Sequence, residues 1–124
     1  MTEKIKWSLQ VRVTDGPQLV ASGTEDVEAY DKISAEIPAS GSQQVDLIPA
    51  DTERIGMVVI LPATPSDTLS YKVGNTTVTL DSPHAFLGTG AARLLGTKLS
   101  SLTFTNSAAE PALVEILVGR DVTP

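Results

Sequence analysis

Four groups of residues in this 124-residue chain have the types and spacing that chemistry could use. The first is His84, the sole histidine, with Asp81 and Ser82 close by. An imidazole, a hydroxyl and a carboxylate are the components of a nucleophilic triad, but a triad is defined by geometry and not by proximity in sequence. No G-x-S-x-G elbow is present to expose a strained serine, so His84 reads as a loop residue opening a strand at a sheet edge. The second is the acidic Glu25–Asp31 loop, where Glu25, Asp26, Glu28 and Asp31 place four carboxylates within seven residues. Calcium takes six to eight oxygens, but these acids lack the alternate spacing, central glycine and distal glutamate of an EF-hand. A solvated acidic loop is the simpler reading. The third, Gly88-Thr89-Gly90-Ala91-Ala92-Arg93, starts like a dinucleotide fingerprint. Its sixth position is Arg93, where close helix–strand packing needs Gly or Ala, and no βαβ pattern surrounds it. The fourth, Asn75-Thr76-Thr77, satisfies the N-glycosylation pattern, yet a hairpin turn accounts for Asn75. None of the four supplies a catalytic residue, a cofactor site or a metal site, and the expectation is that the chain is not an enzyme and needs no cofactor.

The elements that position these residues read as strands. Arg54 to Ala63, RIGMVVILPA, holds the densest apolar run, and it reads as a central strand covered on both faces. Gly56 suggests a bulge there, and Pro62, lacking an N–H, ends the pairing. Residues 5–13, IKWSLQVRV, alternate strictly between Ile5, Trp7, Leu9, Val11, Val13 and polar residues, the pattern of a half-buried strand with Trp7 in the core. Asp15-Gly16-Pro17 forces a turn. Gln18 to Ala21 gives a short strand and Ser22 to Glu28 a polar loop. Further strands are expected from Tyr30 to Ile37, at Val45–Leu47, from Leu99 to Thr105 and from Leu113 to Val118, with Gly119-Arg120-Asp121 leaving the sheet. Leu69–Val73 and Thr76–Leu80 flank Gly74-Asn75, which predicts a two-residue hairpin pairing Val73 with Thr76, Tyr71 with Val78 and Leu69 with Leu80. Three glycines between Gly88 and Gly96 oppose a stable helix. Two short strands, or a strand and a loop, are expected from His84 to Thr97, with a single turn of helix at Ala91–Leu95 as the alternative.

Eight to ten short strands without a substantial helix specify an all-β domain. The expected fold is an antiparallel sandwich or barrel of the jelly-roll or Greek-key type, in one unit over residues 1–124, with possible arms at 1–4 and 120–124. The formal charge of −6 opposes binding to nucleic acid or anionic membranes. Five aromatic residues are few for a stacking platform. No cysteine is present, which removes disulfides and thiolate chemistry. No apolar run approaches a membrane span, and the N-terminus lacks the features of a signal peptide, so a cytoplasmic product is expected.

Three functional classes remain: an assembly module, a glycan-binding module, and an enzyme built on scattered carboxylates, which the short loops disfavour. The alternating Trp7 strand after a charged N-terminus, the Glu28-Ala29-Tyr30-Asp31-Lys32-Ile33 segment and the closing Leu117-Val118-Gly119-Arg120-Asp121 together resemble small accessory proteins of tailed bacteriophages, notably head decoration or cement proteins. That resemblance implies a virion location and a homotrimer or homodimer. It also implies a major capsid protein as partner, braced against internal DNA pressure, and carries no functional residue over. A lectin-like carbohydrate binder, or a tail or baseplate part, is the alternative. The assembly reading predicts that removing residues 1–5 weakens association.

Overall fold

In a computed structural model describing residues 2–121, the chain forms ten strands and one short helix. Two four-stranded antiparallel sheets face each other. One runs β3 (Ala29–Ile37), β10 (Ala112–Arg120), β5 (Ile55–Pro62), β8 (His84–Leu87). The other runs β4 (Gly41–Asp51), β9 (Lys98–Asn106), β6 (Leu69–Val73), β7 (Thr76–Thr79). From β3 to β10 the chain crosses between the sheets at every connection but the β6–β7 hairpin. This order is the double Greek key of a jelly roll. The sheets form a sandwich, not a closed barrel. A further pair, β1 (Glu3–Arg12) and β2 (Gln18–Val27), makes a separate two-stranded ribbon.

The core lies between the two sheets. Ile37, Val58, Ile60, Val114, Ile116 and Val118 meet Val45, Leu69, Tyr71, Leu102 and Phe104 in one buried cluster. Each such side chain contributes about 1.5–3 kcal/mol through the apolar surface it removes from water. Strand β5 sits between β10 and β8, the central position expected for RIGMVVILPA. Its pairing with β10 shifts register where Gly119 faces Met57 and Arg120 faces Ile55. Gly56 is therefore the extra residue of a bulge. The cover on its outer face is uneven, however: Met57 is buried, Val59 half-buried and Leu61 43% exposed.

The β6–β7 hairpin has the expected register, Val73 with Thr76 and Tyr71 with Val78, and the Leu80 amide donates to the Leu69 carbonyl at 2.8 Å. Gly74 adopts φ +61° in the turn, a conformation glycine reaches without a Cβ penalty. The segment after β8 resolves into helix α1 (Thr89–Ala92) and a 3-10 turn at Arg93–Leu95, the helical alternative, where Ala92 and Leu95 face the core.

Three expectations are corrected. Residues 18–27 form one strand, not a short strand and a polar loop. In a two-stranded ribbon both strands are edges, so polar and charged side chains can sit on the outer side at no burial cost. Val45–Leu47 is part of a longer strand, β4, whose pairing is broken between Asp46 and Ala50 where Pro49 has no N–H to donate. Gly119 and Arg120 remain in β10, and Arg120 is buried, so the 120–124 arm cannot begin at Arg120. Residues 122–124 of that expected arm, and Met1 of the N-terminal one, lie outside the described residues; Glu3 and Lys4 belong to β1.

Candidate functional site

The ribbon is the feature that the sandwich core does not explain. Strands β1 and β2 pair over ten residues each, from Glu3–Val27 to Arg12–Gln18. The Asp15-Gly16-Pro17 turn closes the tip: the Gly16 amide donates to the Val13 carbonyl at 2.8 Å and the Val13 amide to Pro17 at 2.9 Å. Asp15 holds φ +59°, a region that Asp tolerates better than most residues. Every residue from Ser8 to Ser22 is exposed.

Directly opposed residues in an antiparallel pair share a face. Ile5, Trp7, Leu9 and Val11 therefore line one side with Leu19, Ala21 and Gly23, their partners reading Glu25, Gly23, Ala21 and Leu19 in order. Lys4, Lys6, Ser8, Gln10 and Arg12 line the other with Gln18, Val20, Ser22, Thr24 and Asp26. One face is apolar and the other polar and basic. On the apolar face Leu9 is 47% and Leu19 71% exposed.

Trp7 is half-buried on this ribbon and not among the core residues, which corrects the expectation drawn from its alternation. A Cβ on Gly23 would stand 2.7 Å from the indole ring, so the ring covers the glycine across the ladder. A large aromatic thereby shields the backbone at a position with no side chain of its own.

The base of the ribbon is fixed to the sandwich. Val27 is buried, and a Cβ on Gly119 would meet the Ile5 Cδ1 at 2.8 Å and Val27 at 3.2 Å. Gly119 lies on the outer face of the β3–β10–β5–β8 sheet, so this face receives the ribbon's apolar side at its root. The Glu28 amide donates to the Arg120 carbonyl at 3.0 Å and to an Asp121 carboxylate oxygen at 3.2 Å, tying the end of β2 to the end of β10. Beneath this joint Arg120 is ion-paired with Asp31 in a part-buried setting.

The structure disperses the acidic group. Glu25 and Asp26 point to opposite faces of β2, Asp26 is 3.3 Å from Lys4 Nζ, and Asp31 turns inward to Arg120. Among the described residues no cluster of three metal-ligating side chains forms.

His84 is not joined by Asp81 or Ser82. Its partner is Tyr71 of the opposite sheet, with Nδ1 and the phenol oxygen 2.8 Å apart. The two rings meet edge-on at 5.6 Å, and Phe86 and Phe104 continue the contact. Burial pushes the Tyr71 phenol up to about 12. Tyr71, His84 and Phe86 line a mainly apolar crevice of about 320 Å³ where β8 and β7 part, together with Val73, Val78, Leu94 and Leu95. Its lining is mostly apolar, and its polar members are the Tyr71–His84 pair and Thr76. Gly88 supplies the bend from β8 into α1 with φ +93°, and its amide donates to Gly56 at 2.8 Å. The glycines of the fingerprint-like stretch thus serve chain geometry. Asn75 sits exposed in the hairpin turn.

The ribbon was not legible as a unit because β2 alternates weakly, with Gly23 and Glu25 on its apolar side. The available signal was the equal spacing of two runs about Asp15-Gly16-Pro17. No protein-family model matches the chain, and no curated protein matches it in sequence. Fold and site together define a jelly-roll sandwich bearing a projecting amphipathic β-ribbon.

Proposed function

We propose that this chain is a non-enzymatic assembly protein, most specifically a cement or decoration protein that binds the outside of a phage capsid. The observation that carries this reading is the ribbon: ten residue pairs long, fixed at its base, with an exposed apolar face that its own sandwich leaves uncovered. A lone two-stranded hairpin is marginal in water, and contiguous exposed apolar surface marks an interaction site. The jelly roll adds support by analogy only, since viral capsid and lectin domains both use it. A carbohydrate-binding module is the second reading. It is favoured by Tyr30, 53% exposed on the outer sheet face, and weakened by Trp7, whose ring is engaged with Gly23.

The test is co-sedimentation of the tagged chain with phage particles through a density gradient. Truncation of residues 1–5 is a poor probe, because it removes Ile5 and with it the ribbon's seat. Replacing residues 8–22 with Asn-Gly keeps Trp7 facing Gly23 across a tight turn and removes only the projecting part. The full chain is expected to band with particles in stoichiometric amount and the shortened chain at least tenfold less. A full chain that stays at the top of the gradient would end this reading.

A further inference from the structure

We propose that the crevice between β7 and β8 is a binding site for a small uncharged molecule, a single ring with a short carbonyl-bearing substituent. The inference goes beyond the assembly reading and does not depend on it. At one edge of the sandwich β3 runs into β4 through residues 38–40 alone, which joins the two sheets. At the other edge β7 and β8 are the outermost strands of opposite sheets, each only four residues long, and the crevice opens between them. Val73, Val78 and Phe86 pack against the core cluster there and yet stay half-buried. Leu94, from the 3-10 turn, lines the same crevice and is 70% exposed.

Three observations select this occupant. The first is size. A volume of about 320 Å³ is roughly twice the ~150 Å³ of an apolar cavity that takes up benzene, and it stands at the lower end of small-molecule sites. One ring with a short substituent fits it. The second is charge. No Asp, Glu, Lys or Arg lines the crevice, so a charged ligand would give up its hydration there without a counter-charge.

The third is a hydrogen-bond donor. Tyr71 is 1% exposed, and among the described residues its phenol has one hydrogen-bond partner, His84 Nδ1 at 2.8 Å. A buried hydroxyl proton needs an acceptor, so the phenol donates and Nδ1 accepts. With Nδ1 accepting, the imidazole carries its proton on Nε2. That nitrogen has no partner among the described residues and is not sealed from solvent. His84 thus offers the crevice one N–H donor among apolar walls, and a donor selects an acceptor oxygen. Thr76, the remaining polar member, is exposed, and its hydroxyl either donates or accepts, so it selects neither.

Titration of the full chain with acetophenone, followed in proton–nitrogen correlation spectra, tests this. Ethylbenzene serves as the probe without the oxygen and benzoate as the probe with a charge. Acetophenone is expected to saturate, shifting the signals of Val73, Val78, Phe86 and Leu94 and the His84 Nε2 proton. Benzoate is expected to bind at least tenfold more weakly. A Tyr71→Phe/His84→Phe double variant removes the polar pair together, leaves no orphaned hydroxyl and keeps two rings in place. It should bind acetophenone about threefold to tenfold more weakly, the worth of one hydrogen bond, and ethylbenzene as the wild type does. Val78→Trp fills the crevice from an edge strand and should weaken both at least tenfold; Leu94→Asp, at an exposed position that the fold tolerates, should weaken both as well. No saturable shift up to the solubility limit of acetophenone overturns the inference, as do shifts centred on the ribbon or on an outer sheet face. Benzoate bound as tightly as acetophenone, or a double variant that loses as much affinity for ethylbenzene as for acetophenone, also overturns it. None of these outcomes bears on particle binding, which the density gradient measures separately.

Discussion

The sandwich and the ribbon are built from the same kind of strand, yet their alternation serves opposite ends. In β9 the apolar positions Leu99, Leu102 and Phe104 are buried against a second sheet. In β1 the positions Leu9 and Val11 alternate just as regularly and stand nearly half exposed. Period two reports that one face of a strand is apolar; it says nothing of what covers that face. The difference teaches that cover has to be found elsewhere in the chain, and for the ribbon it is found at the root, where Ile5 and Val27 pack on Gly119.

The two regions meet where the end of β2 is tied to the end of β10, above the Arg120–Asp31 ion pair, and the largest effect is expected from that pair. Arg120 is buried and Asp31 partly so. Removing one partner of such a pair leaves an uncompensated charge, at a cost of about 3–5 kcal/mol. Asp31→Ala should therefore lower the urea midpoint of the whole domain. Arg120→Met, which removes the buried charge itself, should cost much less. If the two variants are equally destabilised, the joint acts through backbone bonds at Glu28 and Asp121 and not through the ion pair.

How much was legible follows the same division. The β6–β7 hairpin could be placed residue by residue because Gly74-Asn75 sets the turn and the apolar positions sit on one side of it. Two independent signals agreed. Strand β5 was legible as a centre because its apolar run left no polar face, although Leu61 showed that one end lacked cover. The second half of β2, from Ser22 on, reads as a loop because Gly23, Glu25 and Asp26 look like loop residues, and nothing local reveals a partner strand on the far side of a turn. Arg120 looked like part of a tail because a charge beside a chain end is usually solvated. Only the fold brings Asp31, 89 residues earlier, to meet it. The partner of His84, Tyr71, lies in the opposite sheet, and no spacing rule connects them.

Tyr71 gives a middle-sized effect confined to the sandwich. Its phenol titrates near 10 in an unfolded chain and is pushed up to about 12 by burial in the fold. The folded state therefore holds this proton more tightly than the unfolded state does. The contribution is complete below pH 10, declines as the pH rises from about 10 to about 12, and is gone above that. Its size is on the order of 2 kcal/mol. Tyr71→Phe should remove this alkaline limb from a plot of unfolding free energy against pH. It also leaves His84 Nδ1 without the phenol, so its stability near neutral pH should fall by about 1 kcal/mol. An alkaline limb that survives in the variant would assign it to another group.

The smallest effect belongs to the ribbon's apolar face, and its smallness is what sharpens the comparison. Leu19→Thr removes apolar surface that is 71% exposed in a single chain, so the protomer should lose no more than about 0.5 kcal/mol. Leu102→Thr removes a side chain that is 2% exposed, and large-to-small changes in such a core cost about 2–5 kcal/mol, with the buried hydroxyl adding to it. Unfolding of the two variants at a dilution where the chain is a protomer should show this contrast directly. At concentrations where the chain assembles, the Leu19→Thr deficit should grow while the Leu102→Thr deficit changes little, because only the ribbon residue gains its cover from outside its own chain. A Leu19→Thr deficit that is independent of concentration would mean that the ribbon's apolar face is ordinary exposed surface, and that the two regions differ in burial alone.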